Sequence, residues 1–247
     1  IMSKHLALRS GNPALQASTF RDHLSSATEG RMTLSGTVNK TAFALVLVII
    51  SAGYSWGNPV MHALAMPSAL IGFVLALVTI FKPTISHITV PAYAIAQGVF
   101  LGVISMIFDA QYPGIVVQAV FLTFGTLGAL LLAYMSGLIK ATENFKLGVV
   151  AATGGIAILY LINFVMGFFG SEIGIISGNS NMGILFSFGV VVIAALNLVL
   201  DFDFIEEGAE MGAPKYMEWY GAFGLLVTLI WLYLEILRLL AKLSSRR

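Results

Sequence analysis

The chain has 247 residues, of which 58% are hydrophobic and only 10% are charged, and its mean hydropathy is +0.91. Soluble domains carry roughly 25% charged residues, so this composition indicates an integral membrane protein. The chain contains no cysteine, which excludes disulfides, thiol catalysis and cysteine-based metal sites. The net charge of +1 says little about partners, but the placement of the charges along the chain is uneven.

The N-terminal segment is polar, with charges of both signs and no apolar core near its start. We therefore expect no cleavable signal peptide. Residues 1–38 are predicted to form a loosely structured cytoplasmic tail, which Phe20 and Met32 could tether to the membrane surface. Residues 39–247 are assigned to the transmembrane domain.

Apolar runs of the length that crosses a bilayer follow the tail. There are seven, at roughly 41–56, 60–81, 88–108, 114–139, 147–169, 183–205 and 217–241. Glycine, proline and charged residues occupy the breaks between them. The sequence predicts an all-α polytopic membrane protein with seven transmembrane helices.

Basic residues mark the cytoplasmic side of a membrane protein. The tail carries Lys4, Arg9, Arg21, Arg31 and Lys40, the loops on the same side carry Lys82, Lys140, Lys146 and Lys215, and the opposite loops carry none. This asymmetry predicts a cytoplasmic N-terminus. Seven crossings would then place the C-terminus outside, although it contains Arg238, Lys242, Arg246 and Arg247. Either the last helix defies the rule, or the last run does not cross fully.

Two of the apolar runs carry carboxylates, Asp201 in the sixth and Glu235 in the seventh. Acids at membrane depth are costly and usually functional, because an apolar environment makes their charge state conditional. Asn197 lies one turn before Asp201 and shares its helix face. Asp203 is about 200° around the helix from Asp201. Asp201 is therefore predicted to face the bundle interior, and Asp203 the headgroup boundary.

Structural alternatives exist for these polar residues. Arg238 follows Glu235 by three residues, so the two can form a simple intrahelical pair. Gln97, in the third run, can serve as hydrogen-bonding glue between helices. The glycines within the runs, namely Gly98, Gly102, Gly125, Gly128, Gly154 and Gly155, predict tight helix packing.

Three segments, in this order, resemble signatures of the Bax inhibitor-1, or transmembrane Bax inhibitor motif, family. They are VPAYAIAQGVFLGVIS (90–105), LNLVLDFDFIEEGAEMGAPKY (196–216) and LYLEILRLL (232–240). The tail is similar to that of a bacterial, YccA-like branch. The resemblance implies a seven-helix fold with a central last helix in the bacterial plasma (inner) membrane. It also implies a pH-sensitive calcium leak gated by paired acids on helices six and seven.

Residue by residue, Asp201 matches the acid of the sixth helix, and Glu235 best matches that of the seventh through its Leu-Tyr-Leu context. The resemblance thus implies that Asp201, Glu235 and Asp203 sense protons and ions. Asp201 and Glu235 would be the calcium ligands, with Asn197, Gln97 and Arg238 as supporting polar groups. Two features differ from the family pattern: the second acid is Glu, 34 positions after Asp201, and Gln97 stands where many relatives carry Glu.

The spacing constrains how the two acids could meet. Glu235 lies 18 residues past 217, about 27 Å along a straight helix. The acids can therefore meet only if the last helix begins outside the bilayer or breaks near Gly221 or Gly224. We predict that 206–222 extend beyond the membrane on the cytoplasmic side.

Three functions remain open at this point. The first is a calcium leak channel controlled by carboxylate protonation. The second is a non-transporting membrane modulator or substrate of a membrane-bound AAA protease, with the charged tail as its handle. The third is a proton-coupled transporter, which would need a broken helix at the midplane. Enzyme motifs and a basic nucleic-acid patch are missing, so we expect neither an enzyme nor a nucleic-acid partner, and no cofactor besides a calcium ion.

Overall fold

A computed structural model describes residues 30–246 as a bundle of helices, with one isolated bridge between Arg31 and Pro214 as the β-type pairing in that range. The helices are α1 (Leu34–Trp56), α2 (Pro59–His62), α3 (Ala65–Phe81), α4 (Ser86–Gln111, after a 3-10 turn Pro83–Ile85), α5 (Ile115–Met135), α6 (Glu143–Gly167), α7 (Gly174–Ser177), α8 (Asn181–Glu210) and α9 (Met217–Ser244). The all-α prediction is confirmed.

Six of these helices (α1, α4, α5, α6, α8 and α9) are long and apolar enough to cross a membrane. The remaining predicted run, 60–81, is divided into the single turn α2 and the 17-residue α3. Asn58 starts α2 by accepting a hydrogen bond from the Val60 N–H at 3.1 Å. The length of α3 lies at the lower limit for a transmembrane helix. The structure is that of a polytopic helical membrane protein.

The last helix, α9, is at the centre of the bundle, as predicted. In its most apolar window 61% of the residues are buried, against 11% for the peripheral α6. It packs against α8, α1, α5 and α4. Tyr220, Phe223, Leu226 and Leu232 are among the largest fully buried side chains. Neighbouring helices therefore surround α9, which places most of its side chains in the bundle interior.

Two glycines of α4 bring it into close contact with α1. A Cβ atom at Gly98 would overlap Ser51 Oγ and lie 2.6 Å from the Val48 carbonyl oxygen. One turn later, Gly102 packs in the same way against Ser55, whose hydroxyl donates to the Val99 carbonyl oxygen at 3.0 Å. The prediction of tight packing is confirmed for this pair of helices.

The same prediction is wrong for the glycines of α5 and α6. A Cβ atom added at Gly125, Gly128, Gly154 or Gly155 would meet no described atom within 4 Å. These positions lie on outer faces of peripheral helices, where no described neighbour approaches. A small residue in an apolar run therefore does not by itself identify a packing interface.

Residues just before α1 are folded against the turn between α8 and α9. The Met32 N–H donates to the Ala213 carbonyl oxygen at 2.7 Å, and Met32 is only 2% exposed. Gly212 allows this turn through its left-handed backbone, with φ of 67°. The predicted loose tail therefore ends earlier than residue 38, and Met32 is a bundle residue rather than a membrane tether. Phe20 and the rest of 1–29 lie outside the described residues.

The two ends of α9 lie at opposite ends of the bundle. Glu218, in its first turn, contacts Thr33 before α1, whereas Lys242, near its last turn, contacts carbonyl oxygens of Ile176 and Gly183. We call these the Glu218 end and the Lys242 end. Of the two alternatives for the last run, the structure supports complete crossing of the bundle.

Candidate functional site: carboxylates on the last two helices

Asp201 is completely buried in α8. Its nearest neighbours along the chain, Leu200 and Phe202, are also buried, and the Thr228 side chain of α9 lies beside the carboxyl group. Neither carboxyl oxygen has a hydrogen-bond partner at bonding geometry among the described residues. The prediction that Asp201 faces the interior is confirmed, and the group is a buried acid that has the Thr228 hydroxyl beside it but no cationic partner among the described residues.

Asp203 points to a different side of α8, as its 200° rotation from Asp201 predicts. Its side chain is 24% exposed and forms an ion pair with Lys146 Nζ at 2.5 Å. Lys146 lies in the first turns of α6 and is itself buried. The partner and the partial exposure make the charge of Asp203 tolerable, which distinguishes this acid from Asp201.

Asn197 lies one turn before Asp201 and uses both of its amide donors. Its Nδ2 donates to Thr153 Oγ1 and to the Ile193 carbonyl oxygen, both at 2.8 Å. The first of these bonds connects α8 to α6. Gln97, the other predicted supporting amide, lies elsewhere, between α3 and α4. A Cβ atom at Gly72 would approach its Nε2 to 2.5 Å, so Gln97 packs on that glycine rather than beside the acids.

Glu235 is 2% exposed and belongs to a three-residue cluster with Tyr160 and Arg238. The Tyr160 hydroxyl donates to both carboxylate oxygens at 3.0 Å. Arg238 Nη1 lies 3.4 Å from Oε1 and donates to the Tyr160 oxygen at 2.8 Å. The intrahelical pair considered from sequence is therefore present, and α6 adds a hydroxyl that sequence reasoning missed. A lone tyrosine within an apolar run was the available signal.

The structure does not bring Asp201 and Glu235 together. Thr228, beside Asp201, precedes Glu235 by seven residues on α9, about 10.5 Å of helix. Within residues 30–246 no group of three or more His, Asp or Glu side chains could hold a metal ion. The predicted calcium ligand pair is thus not assembled in this conformation. The reason is the long spacing, which carries Glu235 two turns past the level of Asp201.

A further carboxylate, Glu218, was not identified from the sequence. It is fully buried in the first turn of α9 and accepts hydrogen bonds from the Thr33 N–H at 2.9 Å and the Thr33 hydroxyl at 2.8 Å. Lys215 contacts it at 2.9 Å, and Lys40 of α1 forms a second ion pair. Gly36 leaves room for the carboxylate, because a Cβ atom there would overlap it. Its partners in the N-terminal part of the chain lie 178 and 185 positions away, so local pattern could not reveal them.

Two cavities follow α9 from the Glu218 end. The larger, about 970 Å³, lies between α1, α5, α8 and α9, with Asp203 and Glu206 among its polar lining residues. The smaller, about 290 Å³, reaches Tyr233. Leu45 and Leu229 line both cavities and lie between them. Asp201 lines neither cavity, so the bundle is closed around it.

The described bundle, with a central apolar helix and acids buried in its last two helices, defines a multi-pass helical membrane protein with an interior ionisable site. The family model described as "Bax inhibitor 1 like" matches residues 12–245, and the chain belongs to this family. No curated protein and no solved structure shows a significant match to the chain.

Proposed function

We propose that the protein is a pH-sensitive leak channel for calcium, in which Asp201 is the proton-dependent group. One observation carries the proposal: Asp201 is a fully buried carboxyl group with no cationic partner among the described residues. By contrast, Asp203, Glu218 and Glu235 each have a cationic partner. The charge of Asp201 is the one among these four acids that the closed bundle does not compensate.

Proton loss from Asp201 would place an uncompensated charge between α8 and α9. Burying an unpaired ion costs several kcal/mol even after local relaxation. The bundle can reduce this cost by admitting water or a cation, or by separating α9 from α8. The protonated state therefore favours the closed packing, and the ionised state favours an open, hydrated path.

The cavities beside α9 support a route for the ion. Leu45 and Leu229 form the barrier between them, and both residues lie on helices that contact α9 or belong to it. Movement of α9 would change this barrier directly. The carboxylates of Asp203 and Glu206 line the larger cavity together with Lys140, and their oxygens can contact a passing cation.

The test is calcium flux into liposomes that contain the purified protein, measured across a pH series. We expect the wild-type leak to increase as the pH rises. Asp201→Asn keeps the size of the side chain but cannot ionise, so its leak should stay at the low-pH level. Asp203→Asn makes the same chemical change two residues away and is the control for the pH response, which should be preserved even if the leak rate changes, because Asp203 lines the larger cavity and pairs with Lys146. A wild-type pH response in Asp201→Asn would contradict the proposal.

We assign Glu235 a structural role, which is to hold the peripheral α6 against the central α9. The same assay separates this role from that of Asp201. Its cluster joins the peripheral α6 to the central α9 through Tyr160. Glu235→Gln retains an oxygen acceptor for Tyr160 but loses the ion pair with Arg238. We expect a change in leak rate with the pH response retained. If Glu235→Gln abolishes the pH response and Asp201→Asn does not, the sensor is Glu235.

We infer further that the Glu218 end faces the cytoplasm of a bacterial cell. The support is the distribution of lysines and arginines, since Lys40, Lys82, Lys140 and Lys215 lie in or near connections at that end. The absence of native cysteine permits a clean test. Ser136→Cys at the Glu218 end should be shielded from an impermeant maleimide in intact cells. Ser245→Cys at the Lys242 end should be labelled, and the reverse pattern would invert the orientation.

A further inference from the structure

A polar cavity of about 330 Å³ lies at the Lys242 end, away from the acids discussed above. It is bounded by the ends of α4 and α9, by α6, and by the segment that contains α7. Its polar lining consists of Gln111, Tyr112, Asn163, Ser177, Asn179, Arg238 and Lys242. Two of these side chains are cations and none is a carboxylate, so the cavity presents mainly hydrogen-bond donors and positive charge.

Lys242 is the most unusual member of this lining. It is only 5% exposed, and its Nζ donates to the carbonyl oxygens of Ile176 at 2.7 Å and Gly183 at 3.2 Å. No ion pair involving Lys242 occurs in the part of the chain that the structure describes. Buried lysines are normally paired, because a desolvated charge without a counter-charge is costly. An ammonium group has three donors, so one remains after the two carbonyl bonds.

Arg238 is a second cation, and only some of its hydrogen-bond donors are used. Its Nη1 is used by Tyr160 and Glu235, and its guanidinium lies 5.1 Å from the centre of the Tyr160 ring. The other guanidinium nitrogens form no hydrogen bond with described residues. Glu235 offsets one positive charge, so Arg238 and Lys242 together leave an excess of one.

The amide of Asn163 is oriented by a backbone contact. Its Oδ1 accepts a hydrogen bond from the Ile173 N–H at 2.8 Å. The acceptor of this side chain is therefore occupied, and its NH₂ group is the part that remains for a ligand. Together with Gln111 and Asn179, the cavity can supply neutral donors around the two cations.

We propose that this cavity binds a phosphate group. Arginine matches the geometry of phosphate oxygens through its planar fork, and lysine supplies a point charge. A bound oxyanion would neutralise the excess positive charge and would give Lys242 a direct ion pair. The same chemistry could be delivered by free inorganic phosphate or by the phosphate of an anionic lipid headgroup.

The first measurement is thermal unfolding of the purified full chain in detergent, with sodium phosphate titrated at constant ionic strength. Phosphate should raise the melting temperature of the wild type, because a ligand that binds only the folded state stabilises it. Lys242→Gln retains a donor for the two carbonyl oxygens but removes the charge. Its apparent phosphate affinity should fall about tenfold, the effect of one lost charge-assisted hydrogen bond.

A second variant keeps the test valid if Lys242→Gln does not fold. Asn179 is exposed and lies between helices, so Asn179→Asp leaves the bundle intact and places a negative charge at the cavity. It should weaken phosphate binding by a similar factor through repulsion. Asn144→Asp is the matched control, since Asn144 is also exposed but lies at the Glu218 end. Its phosphate response should equal that of the wild type.

The lipid source is tested by reconstitution with phosphatidylglycerol or phosphatidylcholine, followed by native mass spectrometry of retained lipid. If the wild type retains phosphatidylglycerol and both Lys242→Gln and Asn179→Asp lose it, the cavity is a headgroup site. If only the phosphate titration separates these variants from the wild type, the cavity binds the free ion. Either result supports the proposal. If neither ligand distinguishes these variants from the wild type and Asn144→Asp, the proposal is overturned, and Lys242 serves only to bind backbone carbonyl oxygens.

Discussion

Replacement of Glu218 by glutamine tests whether its contacts hold the two ends of the fold together. Glu218 connects Thr33 and Lys40, at the start of α1, to Lys215 in the turn before α9. Glutamine retains an oxygen for the Thr33 donors but loses both ion pairs. It also turns an amide donor toward a lysine. The substitution therefore removes charge-assisted contacts while leaving the side-chain volume unchanged.

The expected cost follows from the exposure of the partners. The side chains of Lys40 and Lys215 are 20% and 49% exposed, so both remain hydrated when Glu218 loses its charge. A buried ion that loses its partner entirely costs roughly 3–5 kcal/mol. Because both lysines stay hydrated, we expect the free energy of unfolding to fall by about 3 kcal/mol, the value of one or two charged hydrogen bonds. For a chain of this length that corresponds to a decrease in melting temperature of roughly 6–12 °C.

Thermal unfolding in detergent, followed by tryptophan fluorescence, measures this change, and Trp219 next to Glu218 gives a local signal. Glu206→Gln is the control, because Glu206 is exposed and bonded to the Tyr134 hydroxyl at the same end of the bundle. Its melting temperature should stay close to that of the wild type. Equal melting temperatures for Glu218→Gln and Glu206→Gln would refute the reasoning.

A double-mutant cycle with Gly36 sharpens the test. A Cβ atom at position 36 would overlap the Glu218 carboxylate, so Gly36→Ala should displace that carboxylate and break the same contacts. Once the contacts are broken, Glu218→Gln should add little further cost. Full additivity of the two substitutions would show that they act on different interactions.

Three other predictions concern packing, the Glu235 cluster and the tail. Gly98→Ala should destabilise the bundle by about 1–3 kcal/mol through overpacking, whereas Gly125→Ala, which faces open space, should be neutral or stabilising in the same unfolding assay. Tyr160→Phe should cost about 1.5–3 kcal/mol, because it removes the hydroxyl that donates to the buried Glu235; unchanged stability would show that Arg238 alone is sufficient. Deletion of 1–29, which leaves the packed residue Met32 in place, should preserve calcium flux and abolish any association with a membrane-bound AAA protease in pull-down. Loss of flux with retained association would contradict the assignment of the tail as a handle.

Much of the fold follows from local sequence. Apolar runs of about 20 residues determine the helices, because a backbone in lipid must satisfy its hydrogen bonds internally. Helical periodicity separated the buried Asp201 from the partly exposed Asp203. Each of these properties depends on residues within a few turns of one another.

The partners of the acids depended on the tertiary structure. Glu218 is neutralised by Lys40 at a separation of 178 positions, and Glu235 is bonded by Tyr160 at a separation of 75. The glycines show the same limit, since Gly98 packs against α1, whereas a Cβ atom added at Gly125 would meet no described atom within 4 Å. The sequence by itself determined which groups enter the apolar interior, because hydrophobicity and helical period are local. Only the packing of distant helices decided which of those groups found partners, and it left Asp201 without a cationic partner among the described residues.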